Sequence, residues 1–591
     1  MIAFLEDRQA PAGEPAAWCF EQLLGVLEIR DLASFEAALA ALSASPAWAV
    51  LALDYELGYL LEPRSAPSGW QPPEPGARPL ARIWRFADCR CLGADAAEAW
   101  LNAAVSAQPV AGIGGWQPLR DEKKHLSAVD RVKAWISAGD CYQVNLTFPV
   151  GFSAFGSPLA LYARLRERQP VRYGGFVGDP RPGGEAIVSL SPELFVERRG
   201  RHLRTRPMKG TAPRAWPPEH LRQSVKDRAE NLMIVDLLRN DLGRIALPGS
   251  VRVDRLFEIE AYPSVWQMVS EISATAAGDD LGDLLRAVFP CGSITGAPKI
   301  RAMQIAGELE ADARGLYTGA LGWLSPTGDL RLNVAIRTLE LACGGEGRLG
   351  LGSGIVADSE PEAEWRECLL KGAFLRDADP GLHLIETLRL AHGRYALLAG
   401  HLARLTASAA WFGFACEPAT IEQALRALAV AHPDGVWRVR LTLGKDGNPE
   451  LAAFPLAPEP AGERRARWAV ETIRADDPLR RHKTSERAQY DAALRQIAAT
   501  PGVFDVLFCN ERGEVAEGAR SNVFVERDGV LLTPPLASGA LPGVLRADLL
   551  ASGRAREAVL YPDDLDGGFW LGNALRGLVR VAGVDPALPS A

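Results

Sequence analysis

Lys209 lies in Arg206-Pro207-Met208-Lys209-Gly210-Thr211, an amine between a proline that stiffens the chain and a glycine that lets it turn. A lysine on so short and constrained a segment can lose its hydration and act as a nucleophile, whereas one on an open helix stays a solvated charge. Glu193, in Ser191-Pro192-Glu193-Leu194-Phe195, is a carboxyl among apolar neighbours, a setting that raises its pKa toward general-acid work. Asp227 with Glu230, and Glu364 with Glu367, repeat an i, i+3 acidic pair on two separate helical stretches. Four converging carboxylates would repel one another without a cation, and an oxygen-only donor set favours a hard ion such as Mg2+. Spacing alone fits two solvated helix faces as well. Between the pairs, Pro290-Cys291-Gly292-Ser293-Ile294-Thr295-Gly296-Ala297-Pro298-Lys299 is a glycine-punctuated turn whose backbone N–H groups suit an anion. It is not a Walker loop: its lysine follows a proline, lacks the next Ser/Thr and has the wrong glycine spacing, so a carboxylate fits better than a triphosphate.

Periodicity supplies the elements that must hold these groups. Residues 125–139 have helical spacing and end on a glycine, and they lead into an alternating strand over 140–148. Residues 186–196 read as a strand pair around Glu193, and 227–245, 299–309 and 361–374 as helices. From Met1 to about Gln117, short apolar runs between Pro/Gly-rich loops suggest strands joined by irregular turns. With 591 residues, two or more large units are expected. The net charge of -8, without a basic block, argues against a nucleic-acid partner and leaves small molecules. Nine scattered cysteines show neither zinc spacing nor a disulfide framework, which points to a reducing cytoplasm. No signal peptide or membrane span is visible, since the apolar run near Trp48–Leu61 is broken by Asp54 and Glu56.

Asp227–Gly243 (DRAENLMIVDLLRNDLG), Pro290–Met303 (PCGSITGAPKIRAM), Asn333–Leu339 (NVAIRTL) and Gly352–Lys371 (GSGIVADSEPEAEWRECLLK), in this order, resemble the chorismate-utilising enzymes: anthranilate, isochorismate, salicylate and aminodeoxychorismate synthases. The match covers most of residues 120–376. It implies an α/β (α+β) layered sandwich over residues 1–376, with its site in a central cleft. By resemblance, Glu230 and Glu367 bind Mg2+, Asp227 and Glu364 support it through water, and the ion holds a carboxylate of chorismate. Tyr317 and Arg337 look like carboxylate anchors, Ser293, Thr295, Gly296 and Gly352 join the substrate site, and Glu193 protonates the departing C4 hydroxyl. Relatives that add water carry a lysine base where Gln143 stands, which points here to ammonia. Anthranilate synthases usually have alanine at the place of Lys209; in the aminodeoxychorismate type that lysine attacks C2. Gln267 stands where many relatives have histidine. No glutaminase cysteine turn is present, so a glutaminase partner supplying ammonia is implied.

Around Arg376–Gly381 (RDADPG) the first pattern stops. His383–Arg389, His401–Leu405, His482–Arg487, Val515–Phe524 and Leu541–Arg546 together resemble fold-type IV pyridoxal phosphate enzymes, which include branched-chain and D-amino-acid aminotransferases and aminodeoxychorismate lyase. The resemblance sets a second domain at 382–591, with Lys483 as the Schiff-base lysine, Glu517 on the pyridine nitrogen, and Arg404 with the backbone of Val544 and Leu545 on the phosphate. Leu545 replaces a frequent hydroxyl residue there. Motifs do not separate lyase from aminotransferase, and a catalytically silent scaffold is a third reading; a homodimer through this domain stays open. The fusion favours a route from chorismate through 4-amino-4-deoxychorismate to 4-aminobenzoate and pyruvate.

Overall fold

A computed structural model describes residues 1–106, 109–262, 265–459 and 462–587. The chain divides into two compact units. The first comprises Met1–Ala111, Trp116–Phe152 and Gly156–Ala378; the second runs from Asp379 and takes in Gly112–Gly115 and Ser153–Phe155.

Among the described residues of the first unit, eighteen strands form one continuous hydrogen-bonded sheet. The strand Trp48–Leu53 shows how it is layered. Its odd residues Ala49, Leu51 and Leu53 join an apolar cluster with the helices Leu32–Ala44, Val225–Gly243 and Leu281–Val288. Its even residues Val50 and Ala52 pack with Leu5, Trp18, Phe20 and Val177 from other strands. Since strand side chains alternate between faces, this period of two puts helices on one face and a second layer of sheet on the other. A third cluster joins Val144 and Leu146 of the strand Gln143–Gly156 to the helices Glu122–Ala138 and Lys299–Leu309.

The helices follow the expected spacing. Glu122–Ala138 ends on Gly139 at φ +85°, a left-handed position where glycine carries no Cβ penalty. Val225–Gly243 starts at Ser224, which caps the Asp227 N–H, and buries Asn231, Ile234, Val235, Leu238 and Leu242 along one stripe. The N-terminal stretch departs from the all-strand expectation, because Leu32–Ala44 and Ala94–Val105 are helices. Asp31 and Ser34 close a capping box, and Phe35, Ala38 and Leu42 give a helical stripe within an alanine-rich run. The strand near Gln143 alternates as expected in chemistry but not in exposure. Gln143, Asn145 and Thr147 are 0%, 6% and 4% exposed, so its polar face meets protein rather than solvent.

The described residues of the second unit form three sheets, of four, four and five strands. In the first, Leu384–Ala391 and Val436–Leu443 pair antiparallel. Apolar clusters behind the strands Val503–Cys509 and Asn522–Arg527 provide its cores. Among the described residues, no helix of either unit is long and apolar enough to cross a membrane.

Leu51 is fully buried on the helix-facing side of the first sheet. Leu51→Ala is expected to lower the unfolding free energy of this unit by about 2–5 kcal/mol, read from the urea midpoint with tryptophan fluorescence as the probe.

Candidate active sites

A cavity of about 1140 Å³ opens in the first unit. The segment that carries Lys209 enters it through an irregularity of the sheet. Met208 pairs with Val269 and Thr211 with Gln267, so the chain from 208 to 211 contains one residue more than its partner. Such a bulge bends the strand and re-aims a side chain. Gly210 sits in it at φ +94°, and a Cβ there would lie 3.0 Å from the Asp227 Cβ. Glycine thus lets the strand approach the helix Val225–Gly243, where Asn231 Nδ2 donates to the Lys209 carbonyl at 3.4 Å. Burial lowers the Lys209 pKa from its ordinary value, opposed by the charges of Glu230, Glu193 and Glu367.

Glu193 lies in the short turn between strands Ala186–Ser191 and Leu194–Arg199 and lines the same cavity. Burial pushes its carboxyl up to about 7, against the Ser293 hydrogen bond and the Lys209 charge. Ser293 Oγ donates to Glu193 Oε1 at 2.6 Å. The glycine-punctuated turn therefore divides. Ser293 faces the cavity, whereas Thr295 and Gly296, expected with it, are absent from the lining. Thr295 Oγ1 donates to the Cys291 carbonyl at 2.8 Å, and Gly296 is strand-paired with Val144 so closely that a Cβ would meet the Gln143 carbonyl at 2.2 Å. Lys299 is structural too, with its Nζ 2.6 Å from Asp241 Oδ2.

Three glycines of one strand border the cavity. Gly350, Gly352 and Gly354 occupy alternate positions of the strand Glu346–Ile355 and all line the cavity. A Cβ would meet Tyr317 Cγ at 2.0 Å from Gly350, the Leu146 carbonyl at 2.8 Å from Gly352, and Gln143 Nε2 at 2.3 Å from Gly354. The same Gly354 position is 3.4 Å from Lys209 Nζ, so Gln143 and Lys209 flank one bare backbone position. Among the described residues, neither Gln143 Oε1 nor Nε2 has a hydrogen-bond partner. Arg337 and Tyr317 also line the cavity. Arg337 holds a left-handed backbone at φ +49°, a strain that clusters at functional positions, and its Nη1 donates to Gln169 Oε1 at 2.6 Å. Gln267 lines the cavity and accepts from Thr211 Oγ1 at 3.1 Å.

Asp227, Glu230, Glu364 and Glu367 all reach this cavity from their two helices. Burial raises the Glu230 pKa, with the Asp227 charge adding to it and those of Lys209 and Lys226 opposing it. Glu364 Oε1 accepts from Ser359 Oγ at 2.6 Å. Lys371 Nζ lies 2.8 Å from Glu367 Oε1 and donates to the Gly352 carbonyl at 2.9 Å. Among the described residues, no group of three or more His, Cys, Asp or Glu is close enough to hold a metal ion. The donor set is oxygen-only and suits a hard cation, while lysines supply the countercharge in this arrangement. Sequence reasoning missed Lys371, although its i, i+4 spacing from Glu367 is a readable pairing signal.

In the second unit, the Ile385 N–H donates to the Lys483 carbonyl at 2.9 Å and fixes that segment to the strand Leu384–Ala391. The Lys483 amine is enclosed. Burial lowers its pKa to about 8, helped by the Arg404 and Arg487 charges and opposed by Glu386 and Glu517. Glu517 is 5% exposed and accepts from the Leu541 N–H at 2.9 Å. Arg404 donates from Nε and Nη2 to Glu386 at 2.8 and 2.6 Å, and from Nη1 to the Pro542 carbonyl at 3.1 Å. Burial pushes the Glu386 carboxyl up, but the Arg404 charge and the His401 hydrogen bond outweigh it and hold it down at about 2. Arg404 is thereby fixed beside the N-terminus of the helix Val544–Ala551, where no side chain among the described residues caps the first N–H groups. Two glycines allow this approach: a Cβ on Gly400 would lie 2.7 Å from Val544 Cγ1, and one on Gly543 1.9 Å from Asn522 Oδ1. A guanidinium beside open helix N–H groups fits a phosphate, and the enclosed amine and carboxyl fit an aldehyde and a ring nitrogen. Leu545 packs into an apolar cluster with Phe524 and Leu549, so its side chain serves the core there.

Residues 19–377 match the chorismate binding enzyme family. The chain belongs to that family. Residues 383–584 of this chorismate-binding enzyme match amino-transferase class IV, so a fold-type IV aminotransferase-like domain follows the first, and a domain of that class implies pyridoxal phosphate. Aminodeoxychorismate synthase component 1 of Salmonella typhimurium is 44% identical over 285 residues, 46% of this chain and 62% of the relative. Anthranilate synthase component 1 of Streptomyces coelicolor is 41% identical over 291 residues, 47% of this chain and 56% of the relative. The chain thus spans about three fifths of the length of these two curated relatives. The crystal structure of anthranilate synthase component I from Streptococcus pneumoniae shares the fold with a TM-score of 0.51 at 25% identity, over 62% of this chain and 92% of that one.

Ser293→Ala removes a donor that favours the ionised Glu193 carboxyl, so the Glu193 titration is expected to move upward from about 7. Carbon-13 NMR of labelled glutamate, or the infrared carboxyl band followed against pH, measures it; an unchanged or lower midpoint would rule out control by Ser293.

Proposed function

We propose that the chain makes 4-aminobenzoate in two steps, amination of chorismate in the first unit and pyruvate elimination in the second. The observation that carries the reading is the enclosed Lys209 amine sharing one cavity with the Glu193–Ser293 pair. Burial leaves the amine more readily neutral and keeps a sizeable fraction of the carboxyl protonated near neutral pH, the forms needed for a nucleophile and a general acid. Tyr317 and Arg337 would anchor carboxylates of chorismate. Lys209 attacks C2 while Glu193 protonates the leaving C4 hydroxyl; ammonia then adds at C4 and the lysine departs. Gln143 presents an amide rather than a base beside this position, which suits an incoming amine better than an activated water. Mg2+ would be held by Glu230 and Glu367, supported by Asp227 and Glu364, and would supply Lewis-acid attraction for a substrate carboxylate. Ammonia would come from a glutaminase partner, as the component designation of the relatives suggests.

In the second unit, pyridoxal phosphate supplies an electron sink when bound. Lys483 would hold it, with Arg404 and the Val544 and Leu545 N–H groups toward its phosphate. The Lys483 amine, its pKa lowered to about 8, can accept the proton from C4 of 4-amino-4-deoxychorismate. The C3–oxygen bond breaks, the ring becomes aromatic, and the departing enolpyruvate tautomerises to pyruvate. Lyase is preferred to aminotransferase because the amine made by the first unit is the substrate that the second would need.

The test is mass analysis of products from chorismate, ammonium, Mg2+ and pyridoxal phosphate. The natural sequence is expected to release 4-aminobenzoate and pyruvate without an added keto acid. Lys209→Ala is expected to stay folded and to lose C4 amination by at least about 10²-fold. Lys483→Ala should accumulate 4-amino-4-deoxychorismate and release pyruvate at least about 10²-fold more slowly. Unimpaired amination by the first variant would end the covalent-lysine step, and 4-aminobenzoate at the normal rate from the second would end the lyase assignment.

A further inference from the structure

Seven residues after Lys483, on the helix Ala488–Ile497, stands Tyr490, a side chain that the chemistry above does not use. Its Oη donates to Glu517 Oε1, while Arg480 Nη1 donates to that same Oη at 2.5 Å. Since Leu541 N–H binds Oε2, each carboxylate oxygen of Glu517 has its own donor. The tyrosine ring is fixed as firmly as its hydroxyl. The guanidiniums of Arg480 and Arg487 lie 5.1 and 5.6 Å from its centroid, and Phe508 meets it edge-on at 5.1 Å. Arg480 is itself held by Gln489 Oε1, 3.1 Å from its Nη2.

The groups that bear on Glu517 are therefore Tyr490 on its helix, Arg480 in the turn Pro478–Arg481, the Leu541 N–H, and the Lys483 amine. Burial alone would drive this carboxyl toward its neutral form. Donors to both oxygens and two nearby cations oppose that drive without reversing it, so the pKa stays raised from its ordinary value but by less than burial alone would give. Only the anion can serve as counter-charge to a protonated ring nitrogen.

We propose that Tyr490, fixed by Arg480, is a positioning residue that holds Glu517 as the anionic partner of the cofactor's ring nitrogen. The inference rests on the pyridoxal phosphate reading of the second unit. It makes the stretch from Lys483 to Tyr490 responsible for both ends of the cofactor, the lysine at the carbonyl carbon and the tyrosine behind the acid at the nitrogen. Without the hydroxyl, one Glu517 oxygen is left buried without its donor, the carboxyl takes a proton more readily, and the ring loses positive charge. A less positive ring repels the proton on the lysine-linked nitrogen less, so that nitrogen should titrate at higher pH.

The experiment uses the purified full chain loaded with pyridoxal phosphate. The pH midpoint of its visible band and the cofactor dissociation constant are measured by absorbance. Tyr490→Phe is expected to raise the midpoint by about one unit and weaken cofactor binding about tenfold, the scale of a hydrogen bond to a charged group. Arg480→Met should shift both in the same direction by less, and it decides the matter alone if Tyr490→Phe does not fold. Phe508→Leu loosens the packing of the ring but keeps the hydroxyl, and is expected to leave the midpoint in place. Unchanged midpoint and affinity in both Tyr490→Phe and Arg480→Met would overturn the proposal, as would an equal shift in Phe508→Leu. A natural-sequence protein that neither binds the cofactor nor shows a visible band would instead overturn the cofactor reading on which the proposal stands.

Discussion

In each unit burial lowers the pKa of one lysine amine while several carboxylates act on it from nearby. Burying an ammonium is costly, and among the described residues neither lysine has a close ion pair that cancels the cost. The charge is spread instead: Glu230, Glu193 and Glu367 act on Lys209 from a distance, as Glu386 and Glu517 act on Lys483. A tight pair would lock the proton on nitrogen. Diffuse compensation permits the fold while leaving the amine able to lose its proton, and the surrounding structure can be understood as what such an arrangement requires.

It requires rigid backbone on both sides. In the first unit the bulge at Lys209–Gly210 is held by Asn231, which also accepts from Ser270 Oγ at 2.6 Å, so a single buried amide ties the helix to two strands of the sheet. In the second, Lys483 is fixed by backbone pairing, and the neighbouring His482 stacks on Trp411 with ring centroids 4.4 Å apart. Burial pushes that imidazole down to about 4, so it is a neutral spacer near neutral pH rather than a further charge beside the lysine.

The sequence made the helices legible because their stripes and caps are local: Ser224, Gly139 and the 3.6-residue spacing need no knowledge of distant strands. It placed Lys209, Glu193, Ser293 and the four acidic residues on stretches that meet at one cavity. It could not tell which face of the turn at Cys291–Lys299 looks inward, because that is decided by strand pairing with Val144, far away in the chain. The helical Leu32–Ala44 was masked by its uniform composition, where alanine and leucine on every side blur the stripe. Lys371 and Tyr490 escaped notice for another reason, since their roles depend on partners that are distinctive only once the backbone has brought them together. The Arg404–Glu386 clamp likewise joins residues from a helix and a strand, and neither residue signals it alone.

The run Gly350, Gly352, Gly354 bears on how such a cavity can change over evolutionary time. Selectivity usually drifts by exchanging one side chain for another of different size, but these three positions have none to exchange, and a Cβ at each would strike Tyr317, Leu146 or Gln143. That stretch of the lining is therefore fixed in shape by the backbone of one strand. Variation is left to other lining positions such as Gln267, Val265 and Met208, which offer side chains of adjustable length. A lineage that altered what this cavity accepts would leave its record there, while the glycine strand would read as invariant for reasons of space alone.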